Sequence, residues 1–143
     1  MGRREELLGA AWIAAFLLAL GALGTWASAP GSSVSGIDGA HDGWIVAAVA
    51  VAAGASIFRV RGRRECGLVM LAASVLSVGV AAYDRTHLER VIGSAPVGAL
   101  ARAGWGLNLD LLASVALGVV GVLWLLAARA ERDLAAPAHQ LPK

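Results

Sequence analysis

Charge is what this chain has least of. Only 15% of its 143 residues are Asp, Glu, Lys or Arg, where a soluble domain carries about 25%. Four stretches contain no formal charge: Leu7 to Ile37, Gly43 to Phe58, Cys66 to Tyr83 and Leu111 to Ala128. A water-soluble helix bundle needs a polar face on every helix, and these stretches have none. Cysteine is nearly missing as well. The single Cys66 can form no internal disulfide and cannot run dithiol chemistry. That excludes the four-helix membrane thiol oxidoreductases, which work with cysteine pairs, and leaves Cys66 as a small buried apolar residue.

Other absences narrow the function. The middle of every apolar stretch lacks Asp, Glu, Lys, Arg and His, whereas proton-coupled transporters normally need an ionisable group within the membrane. Small multidrug exporters, for example, use a glutamate in their first helix. There is no glycine-rich phosphate loop, no Ser/His/Asp set at one depth, and no histidine pair for haem. The sequence nominates no nucleophile or base and no cofactor, so the expectation is a non-enzymatic protein. No internal repeat of fixed period is visible.

What remains is mostly Ala, Val, Leu and Gly, with 58% hydrophobic residues. Each charge-free stretch contains enough apolar residues for a membrane helix of roughly 17–25 residues once its flanks are included. The fold predicted is all-α: an integral membrane four-helix bundle over residues 1–130, with spans at about 6–26, 42–60, 66–83 and 107–128. Residues 131–143, with Pro137, Pro142 and His139, read as a disordered cytoplasmic tail. Residues 1–29 also resemble a signal peptide, ending in Ala27-Ser28-Ala29. The run from Leu7 to Gly24 exceeds the usual h-region of about 7–15 residues, and Pro30 would follow the scissile bond, so an uncleaved first helix is expected.

Orientation follows from the basic residues. With the N-terminus inside, Arg3, Arg4, Arg59, Arg61, Arg63, Arg64, Arg129, Arg132 and Lys143 are cytoplasmic, and only Arg85, Arg90 and Arg102 lie outside. Nine against three satisfies the positive-inside rule, placing both termini in the cytosol of a plasma membrane protein. The small net charge of +2 thus reports topology and anionic-lipid contact rather than nucleic acid. Trp26, Trp44 and Trp105 mark the outer boundary, and Trp12 and Trp124 the inner one, as aromatic belts would.

Small residues recur every four positions: Ala11, Ala15 and Ala19; Ala48, Ala52 and Ser56; Ala73, Ser77 and Ala81; Ser114 and Gly118, with Gly121 beyond. Such stripes let membrane helices approach closely. The second outer segment, Asp84 to Gly106, carries Thr86 and Glu89 as a capping box and Pro96 at a helix start. Two short interfacial helices are expected there, the first closed by Gly93 and the second by Gly104.

The outer loop SGIDGAHDGW, residues 35–44, concentrates chemistry. As a calcium loop it fails, because Ala40 stands at a ligand position and Val49 where a bidentate glutamate belongs. As a turn it works, with Asp42 placed to cap the second helix. The remaining candidate is a composite outer site of Asp38, His41, Asp42, Asp84, His87 and Asp110. Mixed imidazole and carboxylate ligands suit zinc. Asp110, about one turn inside the fourth span, is costly unless paired, and Arg85, Arg90 or Arg102 could pair with it.

The order of features also has a likeness. A first helix closing on Gly-x-Trp, the SGIDGAHDGW loop, an RGRR turn, a third helix ending AAYD and a fourth opening GWGLNLDLLAS resemble a group of small, alanine-rich, uncharacterised four-helix membrane proteins of actinobacteria. The resemblance covers residues 20 to 125 and places Asp38, Asp42, Gly43, Tyr83, Asp84, Gly104 and Gly106 in its motifs. It implies this topology and no catalytic residue. Taken together, these readings predict an accessory or scaffold subunit of a membrane assembly, in contact with the lipid bilayer and with other subunits or itself. The alternative is an outer-face protein that binds a cation or small ligand.

Overall fold

A computed structural model of the chain describes residues 3–37, 42–60, 63–87 and 102–135. Helix α1 spans Arg3–Leu23, strand β1 Thr25–Ala29, strand β2 Ser32–Ser35, helix α2 Gly43–Arg59, helix α3 Glu65–Thr86, strand β3 Arg102–Ala103 and helix α4 Trp105–Ala135. Three helices, α1, α3 and α4, are long and apolar enough to cross a membrane, while α2 is a shorter apolar helix.

Each helix packs on its neighbour in sequence, and α1 against α4 closes the ring. The packing is antiparallel. Arg4 at the start of α1 meets Glu131 near the end of α4, and Gly24, just past α1, meets Trp105 at the start of α4. The interior is built largely from small side chains: Ala11, Ala14 and Ala15 of α1, Ala50 and Ala53 of α2, Ala73, Ser74 and Ser77 of α3, and Ala113 and Ser114 of α4 are all buried. The large apolar side chains point the other way. Phe16 (67% exposed), Val51 (70%), Phe58 (68%), Val75 (70%) and Leu112 (69%) represent all four helices. Soluble monomers rarely expose apolar patches of more than a few hundred Å². An outside that is apolar on every helix, around an interior of alanine and serine, is the arrangement that suits lipid as solvent.

The small-residue stripes are observed at the interior of α3 and α4 and along most of α1. Helix α2 differs. Its buried line is Gly43, Val46, Ala50, Ala53, Gly54 and Ile57, and Ala48 and Ala52 face outward. Alanine occurs all round this helix, so four-residue spacing alone could not select the packed face.

The end of the bundle where α1 stops and α4 starts departs most from the all-α expectation. The segment after α1 and the two residues of β3 before α4 form a three-stranded antiparallel sheet in the order β2-β1-β3. Pro30-Gly31 forms the tight turn between β1 and β2, with Gly31 at φ 80°, the left-handed geometry that a Pro-Gly turn needs. Pairing of Ala27 with Ala103 and Ser28 with Arg102 makes a strand of residues expected to close a short helix. Thr86 likewise ends α3 rather than opening a new helix, since its hydroxyl donates back to the Tyr83 carbonyl at 2.8 Å. Glu89, Gly93 and Pro96, on which the interfacial helices depended, lie outside the described residues.

Helix boundaries shift for local reasons. Helix α1 stops at Leu23 because Gly24 passes so close to Trp105 that a Cβ there would lie 2.6 Å from its ring. The chain then turns into β1 and drives Trp26 inward. Trp26 is fully buried among Leu18, Ala22, Val46 and Leu107, and its indole N–H donates to the Gly21 carbonyl at 3.1 Å. It is a plug in the bundle mouth, not a belt residue. Trp124 is buried too, donating to the Arg63 carbonyl at 2.9 Å. Trp12, Trp44 and Trp105 are exposed, as a belt requires. Helix α4 continues through Glu131 to Ala135, so the start of the expected disordered tail is helical; residues 136–143 lie outside the described ones.

The plug can be tested. Trp26→Phe, which keeps the ring but not the donor, should cost about 1 kcal/mol, and Trp26→Ala about 3–5 kcal/mol, measured by thermal unfolding of the detergent-purified protein. Equal losses for both variants would mean that the ring does not fill the mouth.

Candidate functional site

The end of the bundle that carries the sheet holds the four described members of the predicted site. Asp42 stands at the N-terminus of α2 with helical backbone angles (φ −73°, ψ −4°), and its side chain makes no capping hydrogen bond. Only its carbonyl serves the helix, accepting from Ile45 N at 2.9 Å and Val46 N at 3.3 Å. A capping side chain reaches the free N–H groups from an extended backbone, which Asp42 lacks, so the expected cap is not formed. The loop is held instead by Gly43 packed on the Gly36 backbone and by Trp44 Nε1 donating to the Ile37 carbonyl at 3.0 Å.

At the end of α3, His87 is folded back on its own helix. Its Nδ1 lies 2.9 Å from the Tyr83 carbonyl and its ring stacks on Tyr83 at 4.5 Å. An imidazole there satisfies a helix C-terminus, which competes with metal ligation through that nitrogen. Asp84 is buried on the α3 face that also carries Ser77 and Ala81. Its neighbour Arg85 reaches across to α4, donating to Asn108 Oδ1 at 2.5 Å, and Asn108 Nδ2 in turn donates to the Gly104 carbonyl at 2.9 Å. The guanidinium proposed for Asp110 is therefore engaged by an amide. Arg102 is exposed on β3. Arg90, Asp38 and His41 lie outside the described residues.

Asp110 is the most unusual residue of the end. It is 0% exposed, and neither carboxyl oxygen finds a hydrogen-bond partner among the described residues. Its Oδ1 lies against the backbone of Gly21 on α1, so closely that a Cβ on Gly21 would collide with it. One turn further in, the Ser114 hydroxyl donates to the Asp110 carbonyl at 2.6 Å and is spent on backbone rather than on the carboxyl group. Ser74 meets Gly118 and Arg85 meets Asn108, which places Ser77 and Ser114 at similar intermediate levels of α3 and α4. Both are buried, forming a thin polar layer between the inner apolar cluster around Met70, Leu117 and Trp124 and the outer one around Trp26.

Among the described residues no three His, Cys, Asp or Glu side chains converge to hold a metal ion. Asp42, Asp84, His87 and Asp110 share one end of the molecule without forming a coordination sphere by themselves. Asp110 could be singled out in the sequence as a lone acid inside an apolar run. Its neighbour Gly21 could not, because nothing local shows that α1 and α4 touch there. No family model matches the chain, and no curated protein or solved structure matches it either.

Two substitutions probe this contact in opposite directions. Asp110→Asn removes a buried, unpaired acid at constant shape and should raise stability by about 1–3 kcal/mol. Gly21→Ala forces α1 from α4 and should lower it by about 1–3 kcal/mol. Thermal melts in detergent read both; a destabilised Asn variant would show that the carboxyl group has a partner the geometry does not reveal.

Proposed function

We propose that the chain is a non-enzymatic polytopic plasma membrane protein that acts as an accessory or scaffold subunit, docking against another membrane protein or a second copy of itself. In this reading all four helices span the bilayer, both termini are cytoplasmic, and the small sheet with Asp42, Asp84 and His87 faces outward. The likeness to small actinobacterial four-helix membrane proteins points the same way. The observation that carries the docking role is on α2. Ala48, Ala52 and Ala55 are exposed in a line, on the one helix whose regular alanine stripe is not used by its own bundle. Small residues on a lipid-facing surface allow a foreign helix to approach closely, and no packing among the described residues requires them there.

A second reading, an outer-face cation or small-ligand binding protein, draws on Asp110, whose carboxyl group has no hydrogen-bond partner among the described residues. Zinc, calcium or manganese should then raise the melting temperature, and joint Asp42→Asn and Asp84→Asn substitution should abolish the rise. No shift with any of the three ions removes this reading.

The docking role predicts that Ala52→Phe leaves the melting temperature unchanged yet reduces recovery of the co-purifying partner, or of the self-associated form, at least fivefold in mild detergent. Unchanged recovery would assign α2 to lipid alone. Orientation is open to a separate check, because the native Cys66 is buried and gives a quiet background. An impermeant thiol reagent should label Ser32→Cys on intact cells and Arg63→Cys only after lysis; the reverse pattern inverts the topology.

A further inference from the structure

The opposite end of the bundle carries a feature that the docking role does not use. Where α1 and α3 begin and α4 ends, a cleft of about 290 Å³ is lined by Arg4, Arg64, Ala128, Glu131 and Arg132. Three separate parts of the chain each deliver one guanidinium to it: α1, the turn before α3, and the last turns of α4. Arg4 is fixed on two sides, paired with Glu131 at 2.5 Å and lying 5.6 Å from the ring centre of Trp124, which is itself tied to the Arg63 carbonyl. Arg132 is braced by a hydrogen bond from its Nε to the Ala128 carbonyl at 3.3 Å. Among the described residues neither Arg64 nor Arg132 has a carboxylate partner. With one glutamate against three arginines, the cleft keeps an excess of positive charge, and guanidinium forks match the oxygens of a phosphate.

A second, apolar cavity lies further along α3 and α4. A groove of about 390 Å³ runs between α3 and α4, with Ser74 and Gly118 among its lining and Leu71, Val122 and Leu123 along it. Leu71 is about two turns from Arg64 along α3, and Val122 lies about three turns from Arg132 along α4. A soluble anion would need only the cleft. A molecule with a phosphate head and an aliphatic chain would use both.

We propose that this end binds an anionic phospholipid, its phosphodiester held by Arg4, Arg64 and Arg132 and one acyl chain laid in the α3–α4 groove. The inference rests on the membrane-spanning reading with this end in the cytoplasmic leaflet. Basic pockets between membrane helices on that side suit anionic headgroups, and here the charges come from three elements, so the bound lipid would clasp α1, α3 and α4 together.

The test uses the full chain reconstituted into nanodiscs of phosphatidylcholine alone or with one quarter phosphatidylglycerol, with lipid retention read by native mass spectrometry and stability by thermal unfolding. Phosphatidylglycerol should be retained preferentially and raise the melting temperature by several degrees. The Arg64→Gln/Arg132→Gln double variant should lose at least tenfold in that preference. Arg129→Gln, which removes a charge from the same end but not from the cleft, should keep it. Equal stabilisation by inorganic phosphate would make this a small-anion site, and loss of preference in Arg129→Gln would reduce it to general surface charge; either result overturns the lipid proposal. Stable insertion without any lipid preference overturns it while leaving the membrane reading intact. Failure to insert into either bilayer overturns both.

Discussion

The structure depends on how little its helices carry on their inner faces. Alanine, glycine and serine along α1, α3 and α4 let backbones come close enough for van der Waals contact, which between helices in lipid replaces the hydrophobic drive available in water. The contacts of Gly67 with Leu125 and of Gly118 with Ser74 show how tight this is. A single added methyl group at either place would meet another atom within 3 Å. At these contacts the interior has no room for bulk, and most of the large apolar side chains, both phenylalanines among them, are placed outside, while Leu18, Met70 and Leu117 are buried within.

The two buried tryptophans sit toward the ends of the interior and divide the molecule. Trp26 fills the outer mouth, where β1, paired on both sides, holds it in place. Trp124 and Met70 occupy the inner half. Between them Ser77, Ser114 and Asp110 supply polarity where the packing offers little compensation. The two ends then diverge in chemistry, with carboxyl groups and a backbone-rich sheet at one and converging arginines at the other.

The helices were legible because charge-free runs are a strong signal and few competing readings exist for them. The small-residue faces of α3 and α4 were legible too, since each helix has one such line. On α2 the signal failed for lack of contrast, alanine being present on all sides. The sheet left a trace in Pro30-Gly31 between two short runs of Thr, Trp, Ser and Val, but the apolar context favoured a loop after a longer helix. Trp26 shows the same limit: position along the chain says that a tryptophan is near a boundary, and only tertiary packing says whether it faces lipid or the core. Asp110 stood out in the sequence, whereas Gly21 gained meaning only from the pairing of α1 with α4. The arginines of the cleft could be counted for topology, but their convergence belongs to the fold.

Helix α2 is 17 residues long, about 25 Å at the α-helical rise, beside α3 of 22 and α4 of 31. A hydrocarbon layer is about 30 Å thick, so one flank of the bundle is shorter than its surroundings. If α2 spans the bilayer as proposed, lipids next to it would have to compress to meet it, at a cost of fractions of a kcal/mol per ångström, and lipids beside α3 and α4 would not. The molecule would dimple its bilayer on a single side. In that proposed setting, another protein with a short helix would relieve the deformation by sharing the dimple, and thickness would add to any docking at α2.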